Sequence, residues 1–122
     1  HLTTADLLKI GMLTVQEGVW QGRRIVPAEW IRESTRPASK GLAQYKPPIF
    51  GRYGWHWWVA DPAGGRPGYA FALGFSGQYL AVVPELGIAA VLRRGATTRA
   101  DSMKSRSLLD EYILPAAAGV RR

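Results

Sequence analysis

Residues 72–92 read ALGFSGQYLAVVPELGIAAVL and decide how the second half of the chain folds. Two apolar runs, residues 78–83 and 87–92, have the length of strands and are joined by a turn at residues 84–86, which favours antiparallel pairing. The glycine-rich segment 74–77 precedes the first run, and such segments let a ligand approach backbone amides closely. The stretch therefore predicts a strand edge that faces a ligand.

Two further strands are predicted before this stretch. Residues 53–60, YGWHWWVA, alternate in the manner of one aromatic strand, and residues 69–73 form a short second strand. The segment DPAGGRPG at residues 61–68 is a strong turn between them. Residues 35–52 lack any period and predict a loop. The four strand segments together predict an antiparallel meander.

An N-terminal helix is predicted over residues 4–17. Thr3 and Asp6 have the spacing of a capping box, and Gly11 on the apolar face indicates close contact with another element. The predicted apolar face consists of Leu8, Gly11, Met12 and Val15.

A small hairpin or an extended loop is predicted over residues 19–26. Pro27 then suits the first position of a second helix over residues 27–34, with Trp30 and Ile31 as its buried residues.

A C-terminal helix is predicted over residues 99–114, with a second capping box from Thr98 to Asp101 and with Pro115 as its end. Its apolar stripe consists of Leu108, Leu109, Tyr112 and Ile113. The fold class is therefore α+β: an antiparallel sheet of about three to four strands flanked by an N-terminal and a C-terminal helix. The 122 residues suit one domain, residues 1–122.

Composition and charge pattern argue against two kinds of partner, nucleic acids and membranes. The net charge is +7, but the basic residues are scattered without a run of five, so a solvated basic surface is favoured over a nucleic-acid interface. The longest apolar stretch is interrupted by Pro84 and Glu85, which argues against a transmembrane helix. We expect no nucleic acid and no membrane span.

The residues that usually bind metals are scarce. The chain has no Cys, and its two His residues, His1 and His56, are far apart in the sequence. We therefore expect neither a metal site nor a cofactor. His56, in the predicted aromatic strand, is interpreted as a packed or surface residue rather than a base.

A complete set of residues for nucleophilic catalysis is missing. No Ser is followed three residues later by Lys, and Ser102 and Lys104 are only two residues apart, which places them on different helix faces. Asp110 and Glu111 are interpreted as a solvated helix face. The tryptophans of residues 53–60 would line a pocket or stack on bases in one interpretation, but packing within the fold is favoured.

Several segments together resemble a known family. They are residues 3–20, 24–30, the aromatic run 53–59, the two strands within 74–92, and LLDEYILP at 108–115. In this order they resemble the serine β-lactamase-like family, which includes class C β-lactamases, penicillin-binding-protein-like peptidases, esterases and 6-aminohexanoate-dimer hydrolases. The succession of segments, more than any single motif, carries the resemblance.

The resemblance implies a C-terminal segment of a serine hydrolase domain. The family's Ser-x-x-Lys and Tyr-x-Asn motifs normally lie upstream, and neither occurs here, so no catalytic residue is expected in this chain. The implied parent cleaves a small-molecule amide, ester or β-lactam through an acyl-enzyme. The segment would be complemented by the N-terminal part of the fold or would self-associate.

The family's third motif, Lys-Thr-Gly or His-x-Gly, matches Ala72, Leu73 and Gly74, of which only the glycine fits. Leu73 stands where a cationic or hydroxyl side chain would help bind a substrate carboxylate, which suits an esterase- or amidase-like relative. The resemblance also implies a backbone oxyanion donor at Phe75 or, one residue on, Ser76. The implied substrate edge is therefore Leu73, Gly74, Phe75 and Ser76.

Two other functions remain open from the sequence. A non-catalytic homologue would keep this scaffold as a binding module, and an upstream Ser-x-x-Lys would separate that reading from a hydrolase. A basic, aromatic nucleic-acid-binding domain is the third reading, and it requires oligonucleotide binding that falls steeply with salt.

Overall fold

The chain forms a five-stranded antiparallel sheet, a separate two-stranded hairpin and helices on both sides of the sheet. The computed structural model describes residues 1–41, 51–74, 77–95 and 98–120. The helices are α1 (Thr4–Val15), α2 (Ala28–Thr35), α3 (Arg99–Leu108) and α4 (Leu114–Val120). The strands are β1 (Val19–Trp20), β2 (Arg23–Arg24), β3 (Arg52–Tyr53), β4 (Trp58–Ala60), β5 (Tyr69–Gly74), β6 (Gln78–Val83) and β7 (Ile88–Leu92).

The large sheet is a meander in chain order, β3-β4-β5-β6-β7, and every neighbouring pair is antiparallel. A short 3-10 turn, Pro84–Leu86, joins β6 to β7. This confirms the predicted α+β class and the predicted pairing of the two apolar runs. The sheet has five strands, rather than three to four, because the predicted aromatic strand is divided in two.

That division overturns the single strand predicted over residues 53–60. Tyr53 at the end of β3 pairs with Trp58 at the start of β4, so the chain reverses between them. The Gly54 amide donates to the Trp57 carbonyl at 2.8 Å, and His56 takes a left-handed φ of 64°. Alternation predicted an extended strand because a left-handed turn at a non-glycine residue leaves no mark in the hydrophobic pattern.

The predicted loop over residues 35–52 is only partly visible. Residues 42–50 lie outside the described residues, and Ser39 forms an isolated bridge with Tyr53 at the start of the sheet.

Strand β6 is buried on both faces and is the centre of the core. The C-terminal helical segment comprises residues 99–120, which include α3 and α4. On one face of β6, Tyr79, Ala81 and Val83 pack with Leu109 and Leu114 of this segment. On the other face, α1 crosses β6 and β7, and a methyl group added at Gly11 would lie 2.8 Å from the Leu80 Cδ1 atom. The predicted close contact at Gly11 is confirmed, and the sheet is the middle of three layers.

The predicted N-terminal helix is confirmed, although its buried face is rotated. The Thr3 hydroxyl accepts from the Asp6 amide at 3.1 Å and donates to the Asp6 carboxylate at 2.7 Å, as the capping motif predicts. Gly11 and Thr14 are buried, whereas Leu8 is 38% exposed. The Thr14 hydroxyl donates to the Ile10 carbonyl, which satisfies its polar group inside the fold.

The hairpin predicted over residues 19–26 is present as β1 and β2. Gln21 and Gly22 both have positive φ, 47° and 78°, as a tight two-residue hairpin turn requires. The second helix, α2, is also confirmed. The prediction that Trp30 is buried is wrong: its side chain is 50% exposed and contacts Trp55, with ring centroids 6.1 Å apart.

Pro115 does not end the C-terminal helix, contrary to the prediction. A π-helical turn, Leu109–Ile113, links α3 to α4, and the Leu114 amide donates to the Leu109 carbonyl. Proline lacks an N–H and its ring crowds the carbonyl four residues earlier, so the wider turn accommodates it without a break. The turn also shifts the buried face, which leaves Leu108 and Tyr112 46% and 66% exposed and buries Leu114.

Membrane insertion by a helix finds no support in the structure. Across the described ranges, no helix combines the length and the apolar character that crossing a bilayer requires.

Candidate functional site

The two halves of β5 are paired differently. On one side, β4 pairs with residues 69–71 only, and its last pair joins Trp58 to Phe71. On the other side, β6 pairs with residues 70–74. Within the described part of the chain, no strand pairs with residues 72–74 on the β4 side. Within the described residues, the backbone N–H and C=O groups on that edge therefore have no strand partner, as the groups of a ligand-binding edge require.

Leu73 contributes to this edge through its backbone rather than through its side chain. It is half-buried and packs against the core cluster that includes Phe71 and Tyr79. Phe71 and Leu73 are two residues apart on one strand, so they share the sheet face that is covered by the C-terminal helical segment. A cationic residue at this position would be directed into the core.

Gly74 allows the edge to pack closely against its neighbour. It pairs with Gln78, and a methyl group added at Gly74 would lie 2.7 Å from the Gln78 Oε1 atom and 3.4 Å from its Cβ atom. Any side chain at residue 74 would have to displace the Gln78 side chain. The glycine predicted from the third motif therefore has a packing reason in this fold.

Two residues of the predicted substrate edge, Phe75 and Ser76, lie outside the described residues. Gly77, which precedes β6, is buried with a φ of 79°. Its carbonyl accepts from the buried Ser105 hydroxyl at 3.5 Å, so helix α3 contacts the start of β6.

A polar cluster ties the other half of β5 to the C-terminal helical segment. The Tyr69 hydroxyl donates to the Asp110 Oδ1 atom at 2.8 Å and lies 3.4 Å from the Tyr79 hydroxyl. The Nε atoms of Arg66 and Arg106 each lie 3.5 Å from an Asp110 carboxylate oxygen. The prediction that Asp110 is a solvated helix residue is therefore wrong; Glu111 is exposed as predicted.

Burial changes the acidity of the two tyrosines in this cluster. Desolvation raises the pKa of Tyr69 to about 12, against an opposing effect from the hydrogen bond to Tyr79. Desolvation, reinforced by Tyr69, also raises the pKa of Tyr79. Both phenols are therefore neutral at ordinary pH and act as hydrogen-bonding groups of the fold rather than as bases.

A groove borders the same cluster. It has a volume of about 670 Å³ and lies between the turn at residues 63–67 and the C-terminal helical segment, with Arg66 and Asp110 at its polar end. The Arg66 guanidinium also donates to the Asp61 and Pro67 carbonyls, at 3.1 and 3.2 Å. The Nη1 and Nε atoms of Arg66 are therefore already engaged within the fold.

Among the described residues, no Ser hydroxyl has a hydrogen bond to a His, Lys, Asp or Glu side chain. The hydroxyls of Ser34, Ser39 and Ser105 donate to backbone carbonyls instead. His56 is exposed on the turn between β3 and β4. Among the described residues, no three His, Cys, Asp or Glu side chains come together in a way that could hold a metal ion.

Comparison with known families shows to which family the chain belongs. A family model described as Beta-lactamase matches residues 1–118. The chain belongs to the beta-lactamase family. No curated protein matches it. The match includes α1, the whole sheet and all but the end of α4 in this beta-lactamase family chain, so it supports a fold of the serine-hydrolase-like superfamily.

Sequence reasoning missed the polar cluster of this beta-lactamase family chain. Tyr69 and Asp110 are 41 residues apart, so no local spacing connects them. The sequence signal was a tyrosine near the start of each of two neighbouring apolar strands, since a buried hydroxyl needs a hydrogen-bonding partner.

Proposed function

We propose that this chain supplies the substrate-facing strand edge of a serine hydrolase that works through an acyl-enzyme. The observation that carries the proposal is the one-sided pairing of residues 72–74 in β5. The substrate class is an amide, an ester or a β-lactam. The chain is the C-terminal segment of the domain, and the nucleophile lies outside residues 1–122.

The edge acts through its backbone. A strand edge with free N–H and C=O groups can hold an extended acyl group by main-chain hydrogen bonds. One N–H from Phe75 or Ser76 would stabilise the oxyanion of the tetrahedral intermediate, where negative charge develops. Residue 73 is a leucine that packs against the core, so this position supplies no side-chain cation for a substrate carboxylate. This favours an esterase- or amidase-like substrate over a classical penicillin.

The missing nucleophile gives the first test. The chain by itself should show no saturable turnover of a chromogenic cephalosporin or of p-nitrophenyl butyrate, because it lacks Ser-x-x-Lys. Turnover that survives repurification and follows the chain through a second column would overturn this part of the proposal.

The second test uses the gene product with its upstream residues. A Ser of an upstream Ser-x-x-Lys motif in that protein should be acylated by a fluorescent penicillin or phosphonylated by an alkyl fluorophosphonate. Gly74→Ala should lower the acylation rate constant by about tenfold or more, because a methyl group there limits how closely an acyl group can approach the backbone of the edge. Gly119→Ala is the matched control, because a methyl group there meets no atom within 4 Å.

The result also separates a hydrolase from a binding module. An upstream sequence without Ser-x-x-Lys, or a protein that neither reagent labels, would identify a non-catalytic homologue. Equal acylation rates for Gly74→Ala and Gly119→Ala would show that the edge of β5 does not serve the reaction.

A partner for the sheet is part of the same proposal. Strand β7, IAAVL, carries no charge and no proline, and within the described residues it pairs with β6 alone. Uncharged strand edges pair readily with other strands. We expect the chain to self-associate or to bind the upstream part of its fold, and a monomer by light scattering from about 1 to 500 µM would contradict this.

A further inference from the structure

A small pocket opens at the end of the sheet where β6 begins and β7 ends. Its volume is about 290 Å³. It is lined by His1, Leu2, Leu7, Gln78 and Arg93. These residues come from the N-terminal segment, from α1 and from the ends of two neighbouring strands, so the fold itself assembles the pocket.

The strand register brings two polar residues of the pocket together. Gln78 is the first residue of β6, and Tyr79, which follows it, pairs with Leu92. Arg93 comes directly after Leu92. Continuation of the antiparallel register places Arg93 opposite Gln78.

Arg93 and Gln78 both bring unused hydrogen-bond donors to the pocket. The one recorded bond of the Arg93 guanidinium is long, 3.4 Å to the Thr4 hydroxyl. Among the described residues, no carboxylate lies within 4.0 Å of it. The Gln78 amide likewise has no hydrogen-bond partner within the described part of the protein.

Two of the other pocket residues are leucines. Leu7 is half-buried at the start of α1, and Leu2 is 56% exposed. The pocket therefore offers the Arg93 guanidinium, the Gln78 amide and the His1 side chain as polar groups, together with two leucine side chains. The guanidinium matches one negative charge, and the leucines match an aliphatic chain.

We propose that this pocket binds an aliphatic monocarboxylate. The carboxylate lies against the Arg93 guanidinium, with the Gln78 amide donating to one of its oxygens, and the alkyl chain packs on Leu2 and Leu7. Charge-assisted hydrogen bonds from a guanidinium are among the strongest that a carboxylate can accept. Binding needs no nucleophile, so it is measurable on this chain whether or not the proposed function holds.

The pocket also lies at the same end of the sheet as the candidate edge, because Gln78 pairs with Gly74. Hydrolysis of an ester or an amide releases a carboxylic acid. If the proposed function holds, the pocket is suited to the acid part of a substrate or product; this link, unlike binding itself, rests on the proposed function.

The test is a titration of the ¹⁵N-labelled chain with hexanoate, followed by amide and Arg Nε–H chemical shifts. We expect saturable shifts at Gln78 and Arg93, and a dissociation constant that rises by about tenfold or more in Arg93→Gln. Arg94→Gln is the matched control, since it removes an equal charge one residue away and should change the dissociation constant by less than about twofold.

Two further ligands test the chemistry of the site. Hexanamide, which keeps the chain but not the charge, and acetate, which keeps the charge but not the chain, should each bind at least about tenfold more weakly than hexanoate. Equal weakening in Arg93→Gln and Arg94→Gln, or equal binding of acetate and hexanoate, would show diffuse attraction of anions and overturn the proposal. Absence of saturable shifts in the unmodified chain would overturn it as well.

Discussion

The two halves of strand β5 differ in what surrounds them. Residues 70 and 71 pair with strands on both sides, Tyr69 pairs with β4, and all three are buried. The hydrogen bond from Tyr69 to Asp110 joins them to the C-terminal helical segment. Among the described residues, residues 72–74 pair with β6 only, and they are half-buried. One continuous strand thus has a half that holds the fold together and a half whose β4 side has no strand partner in the described part of the chain.

The difference shows how a fold of this size positions a reactive edge. The first half is fixed by packing on both faces and by a hydrogen bond to a carboxylate. The second half extends from that support without needing its own, so its free backbone groups are held in a defined place. Binding groups on a rigid element of this kind need no reordering when a ligand arrives.

The largest expected effect breaks the buried half. Phe71 is 1% exposed and stacks on Tyr79 with ring centroids 5.0 Å apart. Phe71→Ala should lower the free energy of unfolding by about 3–5 kcal/mol, because it leaves a cavity between sheet and helix. Urea denaturation followed by tryptophan fluorescence measures the change.

Leu73→Ala is the matched truncation in the second half. Since Leu73 is only partly buried, Leu73→Ala should lower the free energy of unfolding by less than half as much as Phe71→Ala. Equal decreases in the free energy of unfolding for the two variants would show that both halves of β5 support the core to the same extent. That result would contradict the difference between the two halves.

The next effect isolates the hydrogen bond between Tyr69 and Asp110. Tyr69→Phe keeps the ring but removes the donor at 2.8 Å, and it should cost about 1–2 kcal/mol. Tyr53→Phe is the control, since Tyr53 contacts Trp58 through its ring, and it should change stability by less than about 0.5 kcal/mol. If Tyr69→Phe left the free energy of unfolding unchanged, the Asp110 carboxylate would need only Arg66 and Arg106 as partners.

High pH should weaken the same half of the strand. The pKa of Tyr69 is about 12 in the fold, above the ordinary value of 10.0 that it has when unfolded. Its contribution to stability is therefore complete below pH 10 and is lost as pH rises from about 10 to about 12, where the unfolded chain releases the proton first.

An absorbance titration at 295 nm measures this effect. The buried Tyr69 should ionise only near pH 12, and the buried Tyr79 should ionise later still or on unfolding. A single transition near pH 10 that accounts for the whole absorbance change, with the fold intact, would contradict the buried cluster.

The contrast also explains what could be predicted from the sequence. The pairing of β5, β6 and β7 followed from apolar runs with a short turn between them, and both helix caps followed from local spacing. These features depend on residues close together in the chain. The glycine at residue 74 was also recognised, from its place before the apolar run and from the family resemblance.

Features that depend on distant contacts or on unusual turns were not predicted. The turn between β3 and β4 uses a left-handed His56, which alternation cannot reveal. The phase of the C-terminal helical segment changes at a π-turn before Pro115. Asp110 finds Tyr69 only after the sheet and helix have packed. The unpaired edge of residues 72–74 arises because β4 begins only at Trp58. To predict it, residues 53–60 would have had to be divided into two strands.

The most direct measurement is residue-resolved amide hydrogen exchange across β5, in the gene product with its upstream residues, before and after acylation by a β-lactam. We predict strong protection of residues 69–71 in both states, and protection of edge amides within residues 72–74 that rises on acylation. Acylation without any change at residues 72–74, or full protection of all six residues from the start, would contradict the claim that this half of β5 is the substrate-facing edge.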